Sequence, residues 1–260
     1  MGKTTSYEIR VKGGLDMKWS RLFEPLALVP WQQETLITGP VQDQSQLFGI
    51  LLKIRDMGLQ LVSVNPTPKP RLDVPFPELT TERLLLREFS LADAPAVFEI
   101  LRREDVNQWL ETDPLGSIAE AQERIRARMG LFTNGMGYRW AITLRQAPAV
   151  VIGSCGYFHV RRGTQTFETG FELHPDYWRH GIMTEAMQAM IQFSLGAQNP
   201  LLVHRLEALI CPENAASLRL LEKLGFDREG VRREFFFWKG CYRDVFLVAW
   251  LKRSPSLPEG

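Results

Sequence analysis

Residues 211–230, CPENAASLRLLEKLGFDREG, read as the end of a strand running into a short capped helix. Asn214 and Ser217 fall in the first turn, where their side chains can meet unpaired amides, and Gly225 in KLGF is placed as the glycine that closes the helix. One stretch upstream has a related design. The strand TFETGFELH (166–174) stops at Pro175, DYWRHG turns the chain, and a helix begins near Gly181. The first amides of that helix point back towards the strand end. With the helix dipole and the charges of Arg179 and His180 they form a candidate anion site, and a glycine lets an anion approach the backbone. Taken alone, the same turn also serves for a simple change of direction.

Outward from these two turns, elements alternate in type. Strands are predicted at 83–89, 138–145, 149–160, 165–174, 204–211, 226–233 and 241–252, and helices at 91–104, 117–132, 181–196 and 214–224. Consecutive strands in the middle imply hairpins. The helices starting at Gly181 and Asn214 each lie between strands, as in parallel crossovers. The expected fold class is therefore α/β, an open mixed sheet with helices on both faces.

A proline-rich stretch, NPTPKPRLDVPFPEL (65–79), reads as an extended linker poor in core contacts, with its body at 67–77. Before it, residues 1–66 form a small α/β pattern. YEIRVKG (7–13) alternates as a strand, ALVPWQQETLITG (27–39) reads as two short strands about a polar turn, and residues 43–58 have helical spacing at Leu47, Ile50, Leu51 and Ile54. Asp43 or Ser45 is placed to cap that helix and Gly58 to end it; LQLVSV (59–64) is a further strand. A unit of this size buries little surface alone, so an interaction or dimerisation role is expected.

Composition narrows the function classes. The 260 residues carry 31 Lys plus Arg against 30 Asp plus Glu, so no general positive field draws the chain to nucleic acid or to an acidic membrane. No apolar run is long enough to span a bilayer, and no secretory apolar core is present; a cytoplasmic protein is expected. Cys155, Cys211 and Cys241 are odd in number and widely spaced, which argues against a disulfide framework or a zinc site and for buried free thiols.

TTERLLLREFSLADA (80–94), GFELHPDYWRHGIMTEA (170–186) and NAASLRLLEKLGF followed by EG (214–230) occur in the order seen in the GNAT superfamily of acetyl-CoA-dependent N-acetyltransferases. The chain resembles that family over residues 78–253, most closely its RimJ/RimL branch of ribosomal-protein N-terminal acetyltransferases. The resemblance implies an acyl-CoA N-acyltransferase fold preceded by the small α/β domain. It implies that the backbone of Arg179, His180, Gly181, Ile182 and Met183, with Thr184, holds the CoA pyrophosphate. The preceding strand is expected to splay from the next parallel strand, with Phe171, Glu172 and Leu173 giving backbone contacts to the pantetheine and acetyl groups. Asn214 and Ser217 fall where the family holds the pantetheine arm and sulfur; Lys223 lies further along the same helix. Trp178 and Met183 depart from the usual first and last residues of the phosphate turn, and the bulk of Met183 would crowd the phosphates. Residues 1–66 resemble short bacterial proteins of unknown function.

The implied reaction needs a neutral amine, which an α-amine of pKa near 8 supplies in part at neutral pH and a lysine does not. Glu172, on the splayed strand, is the first candidate base and Glu168, on the same face, the second. Ser217 would hydrogen-bond the departing thiolate. Each also has a structural alternative, Glu172 as a surface strand residue and Ser217 as a cap. His159 and His174, at strand ends, read as solvated or hydrogen-bonded. Phe236, Trp238 and Tyr242 line an acceptor cleft or cover the sheet. The expected substrates are acetyl-CoA and a protein or peptide N-terminal amine, with no metal, no nucleic acid and no membrane partner, and a homodimer through the N-terminal domain is a further expectation. A small-amine acetyltransferase (polyamine, amino acid or aminoglycoside) and a non-catalytic acyl-CoA-binding module are the alternatives.

Overall fold

The computed structural model describes residues 5–15, 19–24, 26–31, 34–67, 75–110, 112–161, 164–196, 199, 201, 203–238 and 240–252. The chain divides into two compact units, residues 1–74 with 133–135, and residues 75–132 with 136–260.

In the first unit the elements are β1 (Thr5–Lys12), α1 (Ser20–Phe23), β2 (Ala27–Trp31), β3 (Glu34–Val41), α2 (Gln44–Asp56) and β4 (Leu61–Thr67). The strands make an antiparallel sheet in the order β2-β3-β1-β4. Asp43, not Ser45, caps α2: its carboxylate accepts the Gln46 amide at 2.8 Å, and the Gln46 side chain in turn accepts the Gln42 amide. Leu47, Ile50 and Ile54 recur at helical spacing and share one core with Ile9, Val11, Leu28 and Ile37 of the sheet. The single-turn α1 escapes sequence reading because four residues carry no period.

The second unit is built on eight strands, β5 (Leu79–Thr80), β6 (Leu84–Arg87), β7 (Gly137–Leu144), β8 (Ala147–Arg161), β9 (Thr166–Leu173), β10 (Arg205–Ile210), β11 (Asp227–Trp238) and β12 (Cys241–Leu251). Their spatial order is β11-β12-β10-β9-β8-β7-β6-β5. Every neighbouring pair is antiparallel except β9 and β10. The helices are α3 (Ala94–Leu101), α4 (Glu104–Asn107), α5 (Ile118–Thr133), α6 (Ile182–Leu195) and α7 (Ala215–Lys223). One sheet face packs Tyr138, Trp140 and Tyr157 in mutual ring contact, with Phe193 of α6 against the first two. On the other face Ala141 and Val151 join Val97, Ile100, Val106, Ala121 and Ile125 of α3, α4 and α5. Among the described residues no helix is long and apolar enough to cross a membrane.

Three expectations change. The helix expected at 91–104 is a 3-10 turn (Leu91–Asp93) followed by α3 and α4, because Arg103 is extended, and the buried Asn107 side-chain amide donates across the break to the Leu101 carbonyl and, at 2.9 Å, to the Arg103 carbonyl. Of the two expected crossovers, β9-α6-β10 joins adjacent parallel strands, whereas the chain after α7 skips a position and β12 fills the gap between β10 and β11. Residues 68–74 of the expected linker lie outside the described residues. Its end is not poor in contacts: the Phe76 ring lies 5.1 to 6.0 Å from Phe132, Tyr138 and Trp140, and Pro77 accepts the Trp140 indole N–H at 2.7 Å.

Candidate active site

The gap between β9 and β10 is the first element of the site. The two strands pair only from Arg205 opposite Thr166 to Glu207 opposite Glu168. Beyond that point Thr169–Leu173 stays bonded to β8 and Ala208–Ile210 to β12, so the strands diverge and the backbone groups facing the gap lack a ladder partner. Unpaired peptide groups in a sheet interior are costly, and an extended ligand with its own amides can satisfy them. Phe171, Glu172 and Leu173 belong to this splayed half; Glu168 belongs to the paired half.

At the end of β9 the chain makes the expected turn. His174 opens a 3-10 turn (Pro175–Tyr177), its ring nitrogen accepting the Asp176 amide at 3.3 Å. The indole N–H of Trp178 donates to the Leu173 carbonyl at 2.8 Å, so the unusual Trp178 ties the turn to the strand. Arg179 (φ 62°) and Gly181 (φ 74°) are left-handed, and α6 starts directly after. None of the amides of Arg179, His180, Gly181, Ile182, Met183 and Thr184 makes a well-aligned backbone hydrogen bond among the described residues. Six such donors at a helix start are the arrangement that can cradle an anion. The Met183 side chain does not crowd it, because it is buried in the core and contributes only its amide to the turn.

Two residues that sequence reading missed hold this cradle. Glu185, in the first turn of α6, accepts the Arg83 amide at 2.9 Å and its Nε at 2.6 Å, and Thr81 also donates to it. Burial opposes ionisation of Glu185, but these hydrogen bonds outweigh it and hold its pKa below the usual range. Arg83 also donates to the His180 carbonyl at 2.9 Å, and a Cβ on Gly181 would meet its guanidinium at 3.5 Å. The guanidinium is therefore a further cation at the cradle. Arg83→Ala is expected to raise the KM for acetyl-CoA about fivefold with kcat within twofold, in a CoA-release assay, the scale of one partly exposed charge contact.

Glu172 lies inside the protein, not on the surface. Its carboxylate accepts from Ser154, pairs with Arg128 at 2.8 Å and is bonded by Arg139. Burial pushes its pKa up, yet Arg128, Arg139, the Ser154 hydroxyl and Arg124 together hold it below the usual carboxylate range. Each nitrogen of Arg139 is engaged, since it donates also to Ser154 Oγ at 2.7 Å and to the Gly170 carbonyl at 2.6 Å. Arg124 and Arg128 come from α5, four residues apart and so on one helix face. Burial first, then the neighbouring arginines, pull the Arg128 pKa down to about 10, against the attraction of Glu172, so it stays charged at neutral pH. The signal for this cluster was ERIRARM (123–129): two arginines on the helix face that also carries Ala121 and Ile125.

Asn214 caps α7, its side-chain oxygen accepting the Ser217 amide at 3.1 Å, so Ser217 is held in the first turn beyond the C-terminal end of β10. Gly225 (φ 84°) closes the helix: its amide bonds the Glu222 carbonyl, the Phe226 amide bonds the Leu221 carbonyl, and Leu221 and Phe226 are both buried. Lys223 is exposed at the far end of the helix from Asn214. Of the aromatic run, Phe236 is buried while Tyr242 is exposed and packs on exposed Phe237. The thiols differ from the expectation that all are buried: Cys155 is, and burial pushes its pKa up to about 12, which makes it inert. Cys211 is half-buried just beyond β10 and Cys241 is exposed where β12 begins the terminal hairpin. The side chain of His159 lies outside the described residues.

Comparison with known proteins agrees with this geometry. A family model described as an acetyltransferase (GNAT) domain matches residues 83–227, and one described as a domain of unknown function matches residues 6–65. The uncharacterized N-acetyltransferase YoaA of Bacillus subtilis is 30% identical over 177 residues, 68% of this chain and 98% of its own length. The [ribosomal protein uS5]-alanine N-acetyltransferase of Escherichia coli is 27% identical over 69% of this chain and 93% of its own length. A crystal structure of a GNAT-family acetyltransferase from Bacillus anthracis superposes with a TM-score of 0.59 at 26% identity, covering 67% of this chain and 98% of that one. With the splayed parallel strands, the cradle of amides and the matched residues 83–227 together, the chain belongs to the GNAT family and is an acetyl-CoA-dependent N-acetyltransferase.

Proposed function

We propose that the acceptor is the α-amine of a peptide or protein N-terminus. The observation that carries this reading is the state of Glu172. A carboxylate held as an anion by arginines, with its pKa depressed, is poorly matched to taking a proton near neutrality. A site with such a carboxylate suits an amine that is already partly neutral, and an α-amine of pKa about 8 is the commonest one. The surplus positive charge of the cluster lowers the pKa of an amine brought beside it, since a like charge disfavours the ammonium form. We assign Glu172 to positioning: it fixes Arg128 and Arg139 and holds the splayed strand. The proton then leaves through water, with Glu168 the second candidate to receive it. The relative that acts on the alanine of ribosomal protein uS5 supports the same class of acceptor.

The residues present fit acetyl-CoA. The amides of 179–184 would hold its pyrophosphate, with Arg83 adding charge; backbone groups of Phe171, Glu172 and Leu173 would meet the pantetheine and polarise the thioester carbonyl. Asn214 would meet the pantetheine arm, and the Ser217 hydroxyl would hydrogen-bond the departing thiolate. The thioester supplies an activated acyl group, so the amine nitrogen forms its bond to the carbonyl carbon as the carbon–sulfur bond breaks, without an acyl-enzyme.

The test is thiol release with peptides that have either a free α-amine or a blocked α-amine and a free lysine. Turnover of the first set alone is expected, with kcat/KM rising to a plateau through an apparent pKa at or below about 8. Equal turnover of the blocked lysine peptides would sink the reading.

A further inference from the structure

The cluster around Glu172 is unbalanced. Three guanidiniums, those of Arg124, Arg128 and Arg139, surround one carboxylate, and Arg124 makes neither a hydrogen bond nor an ion pair among the described residues. Each of the three nitrogens of Arg139 is engaged, by Ser154, Gly170 and Glu172, whereas Arg128 gives one nitrogen to Glu172 and lies over the Phe89 ring at 5.1 Å. The pair on α5 therefore keeps unused donors. Like charges four residues apart on a helix repel, and burial makes that repulsion stronger. The side chains of Arg128 and Arg139 are only 11% and 10% exposed, so water and salt screen little of it, while Arg124 remains partly open to solvent. A surplus of positive charge kept in a largely enclosed place is the arrangement that binds an anion. It lies beside the splayed half of β9, because Glu172 belongs to that half.

We infer that Arg124 and Arg128 form a subsite for a carboxylate carried by the acceptor close to its reacting amine. This rests on the N-acetyltransferase reading and narrows its substrate class. An acidic side chain near a peptide N-terminus and the α-carboxylate of a free amino acid supply the same chemistry. Polycationic amines are disfavoured by the same charge. An Arg pair recognises a carboxylate by two aligned N–H donors, so replacing one of them by a neutral amide removes most of that recognition.

The experiment compares wild type and Arg124→Gln, chosen because Arg124 has no partner whose loss would unfold the protein. Acceptors come in matched pairs: a peptide with Asp or Asn at its second position, and an amino acid with a free or amidated carboxylate. The expected result is at least about a tenfold lower KM for the acid of one pair in wild type, lost in Arg124→Gln, with the KM for acetyl-CoA within twofold. Which pair responds tells the two sources apart. The melting temperature of the free variant is expected to stay equal or rise, since a like charge has gone. Equal KM for acid and amide in both pairs overturns the subsite. A second readout needs no turnover: the N-acetylated acids raise the melting temperature of wild type and not of Arg124→Gln. If no amine is acetylated at all, the acceptor reading fails, and this melting comparison still decides the subsite, with no acid-specific shift overturning it.

Discussion

Gly181→Asp is expected to raise the KM for acetyl-CoA by at least about 100-fold while the protein stays folded. Gly181 has φ 74°, a left-handed conformation that Asp tolerates better than most residues, so the turn should survive. The new side chain starts 3.5 Å from the Arg83 guanidinium, inside the cradle of six amides. Its carboxylate would occupy the place of a ligand oxygen and repel the pyrophosphate. Two unit charges about 4 Å apart are worth about 4 kcal/mol at an effective dielectric of 20, and screening at this open turn reduces that to roughly 3 kcal/mol, or about two decades in affinity. Calorimetry with CoA is the direct check, and circular dichroism confirms the fold. Binding of CoA within a factor of three of wild type would mean that the pyrophosphate lies elsewhere.

The second large effect is on stability. Glu172→Ala leaves three arginines with no anion, and breaking a buried ion pair from one side costs about 3 to 5 kcal/mol. For a unit of this size that is roughly 10 °C in melting temperature. Adding Arg128→Met to the variant should recover part of the loss, because the repulsion falls with each cation removed; a full additive loss instead would show that Arg128 and Glu172 do not interact. The pH dependence has a definite sign. The folded-state pKa of Glu172 lies below the ordinary carboxylate value of about 4.3, so its contribution is complete above that value and disappears as the pH falls through the depressed one. Acid unfolding of Glu172→Gln should therefore be shallower below about pH 4. A variant that loses less than about 1 kcal/mol at neutral pH would show that water reaches the cluster and screens it.

These two predictions fall on residues that differ in how openly the sequence displays their role. The cradle at Gly181 is local: a strand end, Pro175, a glycine that can take positive φ and an apolar period after it lie within about twenty consecutive residues. The fate of Met183 was not local, since only the packing of α6 on the sheet turns its side chain away from the turn and into the core. For Glu172 a position on the splayed strand and two opposite readings, catalytic base or solvent-facing residue, were all that the sequence showed. Burial removes the second reading, and the arginines from two other elements support our assignment of Glu172 to positioning.

The amino-acid sequence by itself determined the elements whose cause is short range. Asn214 and Gly225 close the two ends of α7, Asp43 and Gly58 those of α2, and Gly181 opens α6, because caps and left-handed turns depend on atoms a few bonds away. The strand alternation and the motif order were likewise enough to point to the family whose model matches residues 83–227. What only the tertiary structure decided is the long-range pairing. Arg139 meets Glu172 across 33 residues and Arg83 meets Glu185 across 102, and in both cases the sheet order must be fixed before the charges can find each other. The place of β12 between β10 and β11 is of the same kind, because a strand's neighbour is set by the closure of long chain segments and by burial on both faces, not by the residues of the strand itself.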